Sequence, residues 1–165
     1  MRKFAFPILV LLIVVAAATA LAAPNKFIAH LAGQNEVPPV DSSAQGQVKF
    51  KLADDGLHFK LITANIIGVT QAHIHCGPEG ANGPVVAFLY GFNAAGVDNN
   101  GVLAEGVITP ANVIPRPHSA VCPGGVADFD DLLEKMSSGG TYVNTHTLSV
   151  PSGEIRGQIR PIGSK

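Results

Sequence analysis

Two alternating apolar segments on either side of a short turn limit this chain to a fold rich in β-structure. Residues 45–52 alternate between apolar and polar side chains, and residues 57–62 do so again after Asp54-Asp55-Gly56. Because successive side chains of a strand point to opposite faces, each segment has one apolar face. Glycine supplies the positive φ angle of a tight turn. The sequence therefore predicts an antiparallel hairpin whose apolar face packs on a core.

Further short apolar segments follow, and turns rich in glycine or proline separate them. The 165 residues include 18 glycines, 12 prolines and no tryptophan. Strands are predicted at residues 26–31, 85–90, 102–108, 142–148 and 154–159, together with a separate strand that contains His73 and His75. About eight strands with this spacing of turns predict an all-β antiparallel sandwich or barrel. One short helix is predicted over Asp128–Met136, before Gly139-Gly140.

Residues 1–23 are predicted to be a secretory signal peptide outside the fold. Arg2 and Lys3 precede an almost unbroken apolar run over residues 4–15, and small residues follow up to Ala23. This order of regions is typical of a cleaved export signal, and an uncleaved membrane anchor is the alternative. Residues 24–165 then form a single domain. The protein is expected to be secreted, periplasmic or extracellular, with no membrane attachment after cleavage.

The charge composition argues against two classes of partner. Without Arg2 and Lys3, 9 basic residues remain against 12 acidic ones, so the net charge of residues 24–165 is −3. The sequence contains no run of basic residues. We therefore expect neither nucleic acid nor an anionic membrane surface as a partner.

Three histidines are the predicted ligands of a metal ion. His73 and His75 flank Ile74 and share one face of a strand, from which two imidazoles can converge on one ion. A third ligand must come from elsewhere, and His146 is the best placed, with His30 as the reserve ligand. Copper and zinc both accept imidazole ligands. The alternative is a half-buried strand with hydrogen-bonded imidazoles and no metal.

The two cysteines, Cys76 and Cys122, have two alternative roles. An even number of cysteines in an exported chain predicts one disulfide. Cys76 follows His75 directly, so it is also a candidate thiolate ligand of the blue-copper type. That role would leave Cys122 as a free thiol in an oxidising compartment, and the disulfide is therefore preferred.

The last predicted strand carries a polar pair. Glu154 and Arg156 share one face of this strand and are expected to lie on its outward or polar face, pairing with each other or with neighbours in a structural role. No catalytic residue is predicted, because no serine lies in a Gly-x-Ser-x-Gly motif and opposed carboxylates are not evident.

Several motifs in a fixed order resemble the CHRD domain, a family named from chordin and widespread in secreted microbial proteins. The resemblance covers about residues 26–161 and rests on five segments: Leu31–Pro39, Ala72–His75, Gly83–Val86, Tyr142–Thr147 and Pro151–Ile159. It implies an immunoglobulin-like Greek-key β-sandwich and places the three histidines within the family's own motifs. The long loop at residues 110–125, which contains Cys122, looks like a departure from the family pattern.

The resemblance favours a secreted metal-binding module that holds copper, or less readily zinc, through His73, His75 and His146. A non-enzymatic extracellular domain that binds a protein partner, with structural histidines, is the alternative. The arrangement is also similar to copper/zinc superoxide dismutase, and a copper redox enzyme is kept as a minor alternative. That likeness concerns the fold, which is a weak basis for assigning function.

Overall fold

The computed structural model of the chain describes residues 23–163. The predicted signal peptide lies outside these residues except for Ala23, so it stays a prediction, as does the start of the mature domain. Within residues 23–163, no helix has the length and apolar character needed to cross a membrane.

The described residues form eight strands and one α-helix, with short 3₁₀ turns at Gly33–Asn35 and Pro110–Asn112. The strands are β1 (Lys26–Ala32), β2 (Gln45–Ala53), β3 (Gly56–Cys76), β4 (Val85–Tyr90), β5 (Val97–Ile108), β6 (Thr141–Thr147), β7 (Ile155–Gln158) and β8 (Arg160–Pro161). The helix α1 covers Phe129–Ser137, and its N-cap Asp128 accepts a hydrogen bond of 3.0 Å from the Asp131 N–H. The all-β class with one short helix is confirmed.

The strands belong to one antiparallel sheet that closes into a small barrel. Its order is β2-β1-β7-β6-β3, and β3 pairs again with β2 to close the ring. Strands β4 and β5 extend the sheet by pairing with β3, and β8 pairs with β1. Closure leaves no free edge within the ring. This pairing does not confirm the finer description as a two-sheet Greek-key sandwich.

Strand β3 is the longest element and takes part in both halves of the barrel. Its 21 residues join the predicted hairpin strand and the predicted histidine strand into one element, which the sequence analysis had separated. The strand bends at Asn65 and Gly68, which have φ angles of 55° and 70°. The register with β5 shifts at these bends, but the pairing continues to Val69. Because β5 pairs across the bend, the ladder does not end there.

The predicted hairpin is confirmed as β2 and the first half of β3. Ala53 pairs with Gly56 across the two-residue turn, and Gly56 has a φ angle of 136°. The apolar faces of both strands line the barrel interior with buried residues of the other strands and of α1. Side chains that are at most 2% exposed in this core include those of Phe27, Val48, Phe50, Leu57, Leu61, Ile74, Leu132, Met136, Val143 and Ile155.

The predicted disulfide joins Cys76 and Cys122 across a sequence separation of 46 residues. It ties the end of β3 to the loop before α1, and both cysteines are at most 1% exposed. In the chain-entropy model, a disulfide that closes a loop of this length stabilises the fold by about 4 kcal/mol. Since Cys76 is bonded, it is not available as a thiolate ligand, and the blue-copper alternative is wrong.

Candidate metal centre

The histidines lie on the polar face of β3 and β6, opposite the core. Ile74 points into the core, so its neighbours His73 and His75 project from the other face. Strand β6 pairs with this part of β3, with His73 opposite Asn144 and Gln71 opposite His146. The alternation of β6 places His146 and Asn144 on the same face as the β3 histidines. Sheet register therefore brings together residues that are 73 positions apart.

The three imidazoles converge on one point. One ring nitrogen of each of His73, His75 and His146 lies within 4.8 Å of the others. The shortest separation is 3.2 Å, between His73 Nδ1 and His146 Nε2. The three residues are only 3%, 8% and 7% exposed. The 4.8 Å spread of the three nitrogens is slightly wider than the 4 Å expected for three nitrogens that each lie about 2 Å from one ion.

A protein oxygen fixes the second nitrogen of each ring. His75 Nδ1–H donates to the Gly83 carbonyl at 2.8 Å, and His146 Nδ1–H donates to the Pro151 carbonyl at 2.9 Å. His73 Nε2 lies 3.2 Å from Gln71 Oε1. A carbonyl can only accept, so the remaining nitrogen of His75 and of His146 carries a lone pair when the ring is neutral. Such outer hydrogen bonds orient histidine ligands in metal sites.

Electrostatics keep the cluster in its neutral form. Burial, together with the nearby rings of His146 and His75, lowers the pKa of His73 to about 3. Burial lowers the pKa of His75 to about 4, although the bond to the Gly83 carbonyl opposes this shift. Burial also lowers the pKa of His146. Neutral imidazole is the form that binds metal, so the site does not have to lose a proton first at neutral pH.

One buried nitrogen in the cluster lacks a hydrogen-bond partner. His75 Nε2 is inaccessible to solvent and bonds to no protein group in the described structure. Asn144 Oδ1 lies 3.0 Å from His146 Nε2, so the Asn144 side chain also borders the cluster. A buried polar atom without a partner costs free energy unless water or an ion satisfies it. The donor set of three imidazoles therefore fits a bound metal ion.

Arg156 lies on the same polar face as the histidines and is buried there. The guanidinium donates to the carbonyls of Pro78 and Ala81 at 3.1 Å and 2.8 Å and to Asn82 Oδ1 at 3.0 Å. Arg156 is only 2% exposed because the loop of residues 78–82, which provides these acceptors, folds over it. Its Cζ atom also lies 3.4 Å from the ring centroid of Tyr142.

Glu154 and Arg156 form no hydrogen bond or ion pair with each other in the described structure, and each bonds to other neighbours. Glu154 instead accepts hydrogen bonds of 2.7 Å from the hydroxyls of Ser42 and Thr147. The prediction followed strand alternation alone, and alternation does not show which loops cover an outward face. Tyr142 connects Arg156 to the histidines, since its ring stacks on His75 at a centroid distance of 4.8 Å.

Glu36 is a buried acid that the sequence analysis did not select. It is 5% exposed, and its Oε1 atom has no hydrogen-bond partner in the described structure. Burial raises the pKa of Glu36 to about 7, against the opposing charge of Arg156. Gly153 provides the space, since a Cβ there would lie 2.7 Å from Glu36 Oε1 and 2.8 Å from Asn144 Nδ2. Glu36 precedes two prolines in a loop, and no periodic signal marks it as buried.

The remaining histidines lie outside the cluster. His30, the reserve ligand, is exposed on β1, and its Nδ1 is 3.4 Å from Gln47 Nε2. His58 is exposed and bonds to Asp55 at 2.7 Å. His118 is exposed in the loop before α1, where its Nδ1 accepts from the Gly124 N–H. The structure thus brings together the three preferred histidines and leaves the reserve apart.

Comparison with known families agrees with the sequence motifs. The family model described as the CHRD domain matches residues 27–159, which is most of the chain. The chain belongs to the CHRD domain family. The match spans every strand that carries a cluster histidine, and it includes the loop with Cys122. No significant match to this CHRD domain occurs among curated proteins or among solved structures.

Proposed function

We propose that this CHRD domain is an exported metal-binding module that holds copper through His73, His75 and His146. The observation that carries the proposal is the pairing pattern of the imidazoles. The Nδ1–H groups of His75 and His146 are committed to backbone carbonyls, and the opposite nitrogens face a shared point. This arrangement supports a site whose ligands are oriented before the ion arrives.

The chemistry of the donor set favours copper over other ions. All three ligands are neutral nitrogen donors, and no cysteine or carboxylate belongs to the group of described residues that converges there. Copper(II) has the highest affinity among divalent first-row metals for such ligands, above nickel and zinc. The low exposure of the three rings supports a module that retains its ion. Export by the predicted signal peptide would place it in an oxidising compartment, in agreement with the disulfide.

Copper titration of the metal-free protein, followed by visible absorption and electron paramagnetic resonance, tests the proposal. We expect one copper ion per chain, and affinity at least about 100-fold weaker in His73→Ala and in His146→Ala. His58→Ala and His118→Ala are matched controls, because both histidines are exposed and lie outside the cluster. Copper affinity that is equal in all four variants and in the wild type would contradict the proposal.

A second candidate is a non-enzymatic extracellular domain that binds a protein partner and uses the histidines structurally. The distance of 3.2 Å between His73 Nδ1 and His146 Nε2 favours it, because His73 protonated at Nδ1 would donate to the His146 Nε2 lone pair without an ion. The Gln71 amide would then be reversed, so that its N–H donates to His73 Nε2. In that case the purified protein contains no metal and gains no thermal stability from copper. His75→Ala would still lower its melting temperature.

A further inference from the structure

A second polar region lies on the outer face of the barrel, away from the histidines. Of the five lysines among residues 23–163, four project from neighbouring strands β1, β2 and β3, and all four are exposed. We call this the lysine face, and its residues are Lys26, Lys49, Lys51 and Lys60. They are separated in the sequence, so the chain shows no basic run.

The strand register sets these charges directly against each other. Lys26 is the cross-strand partner of Lys51, and Lys49 is the partner of Lys60. Like charges in directly opposed positions destabilise a sheet. Lys60 has an acidic partner, since its Nζ lies 3.1 Å from Glu105 Oε2. Within residues 23–163, the other three lysines form no ion pair, so the arrangement adds positive potential without adding stability.

A shallow cavity of about 320 Å³ opens between these side chains. Phe50, His58, Phe59 and Ile162 line it together with the four lysines, and its surface is mainly apolar. Lysine stems are aliphatic and leave only the ammonium groups at the rim. The cavity therefore combines an apolar floor with several cations around it. This combination suits a ligand that has apolar surfaces and repeated negative charges.

We propose that the lysine face binds an anionic polysaccharide. Carboxylate or sulfate groups of the polymer would contact the ammonium groups, and the C–H faces of the sugar rings would pack on the lysine stems and Ile162. A membrane surface fits less well, because docking there needs a larger exposed apolar group, and Ile162 is the one exposed apolar side chain among the residues that line the cavity. Single-stranded nucleic acid fits less well because its bases stack on exposed aromatic rings, whereas Phe50 is buried and Phe59 is half-buried.

Binding of the purified full chain to defined polymers tests this proposal. The probes are polygalacturonate for carboxylates, heparin for sulfates and dextran as the neutral control. We expect binding to at least one of the two anionic polymers and none to dextran. Raising the salt concentration should weaken this binding, because bound counterions are released from the polymer.

Single charge removals locate the site. Lys49→Gln and Lys51→Gln should each weaken binding about three- to tenfold at low salt and reduce the salt-dependence slope by about one. Lys135→Gln removes the same charge from α1 and should change affinity less than about twofold, while Lys51→Arg should retain binding. Circular dichroism and melting temperature verify the fold of each variant.

Three results would overturn the proposal. The first is no binding of the wild type to either anionic polymer. The second is equal weakening by Lys135→Gln and Lys51→Gln. The third is tighter binding to duplex DNA or to phosphatidylglycerol vesicles than to both polysaccharides. None of these results depends on the histidine cluster, so they are independent of the copper titration.

Discussion

The histidine cluster and the lysine face both lie on polar strand faces of one barrel, yet only the cluster is buried. Strand β3 contributes to both, with Lys60 in its first half and His73 in its second. Residues 78–83 and the Pro151–Gly153 turn cover the second half and supply the carbonyls that bond to Arg156, His75 and His146. The described structure places no such loop over the lysines. Covering loops, rather than strand alternation, decide which polar face becomes a low-dielectric site.

This difference predicts that removing one cation lowers the free energy of unfolding at the buried face and slightly raises it at the lysine face. Arg156→Ala should lower the free energy of unfolding by about 3 kcal/mol, because three partly buried acceptors lose a charged donor. Urea denaturation of the metal-free protein measures the change. Arg160→Ala is the matched control, since the Arg160 side chain is 56% exposed and forms an exposed ion pair with Glu79.

An effect of Arg156→Ala no larger than that of Arg160→Ala would show that the covering loop does not depend on the guanidinium. Copper affinity should stay within a few-fold of the wild type, because Arg156 is not among the three residues that converge. Complete loss of copper by a folded Arg156→Ala protein would contradict the structural role proposed for this residue.

Acidification should destabilise the metal-free protein through the buried face alone. Folding lowers the pKa of all three cluster histidines, so below about pH 6.5 the unfolded chain binds more protons than the folded chain. The contribution of the histidines is therefore complete above pH 6.5 and is lost as the pH falls toward 4. Glu36 partly offsets this loss of stability. Its pKa is raised in the folded protein, so acidification from pH 7 to 4.5 increases the free energy of unfolding through this residue.

We expect a net loss of about 2 kcal/mol in the free energy of unfolding between pH 6.5 and 4.5. Denaturant titrations in the presence of a chelator measure it. Stability that is constant or rises on acidification would show that the histidines are not buried in the neutral form.

Glu36→Gln should stabilise the protein at alkaline pH. A carboxyl group with a raised folded pKa costs stability fully above pH 7, and the cost disappears below the unfolded value of about 4.5. We expect a gain of about 1 kcal/mol at pH 8 and little change at pH 4. Thermal unfolding at both values tests this, with Glu79→Gln as the exposed control. A loss of stability at pH 8 would mean that the ionised carboxylate is satisfied in the folded protein.

The smallest effect is expected on the lysine face. Lys49→Gln removes a like-charge contact with Lys60 and should raise the free energy of unfolding by about 0.3 kcal/mol at low salt. The gain should disappear at 1 M salt, where screening extends over about 3 Å. Careful denaturant titration at both salt concentrations measures it. A destabilised Lys49→Gln protein at low salt would show that the lysine makes a favourable contact.

The amino-acid sequence by itself determined the local features of this protein. Alternating apolar residues predicted the β2–β3 hairpin, and the glycine at position 56 predicted its turn. The spacing of apolar residues and the capping Asp128 predicted α1 within one residue of its observed ends. These features depend on neighbours in the chain, and backbone sterics and side-chain period are enough to specify them. The two cysteines also predicted their own bond, because an exported chain with two cysteines has one way to pair them.

Tertiary structure alone decided what lies buried and which distant residues meet. The β3–β6 register brings His146 to His73 and His75 as the sequence analysis expected, and their role as ligands stays a proposal. No local sequence pattern predicts that Arg156 and Glu36 are buried, and none predicts that the four lysines form one face. These features depend on which strands pair across long separations and on where loops fold back. Local propensity does not contain that information, because the free energy of such contacts is gained only when the whole barrel closes.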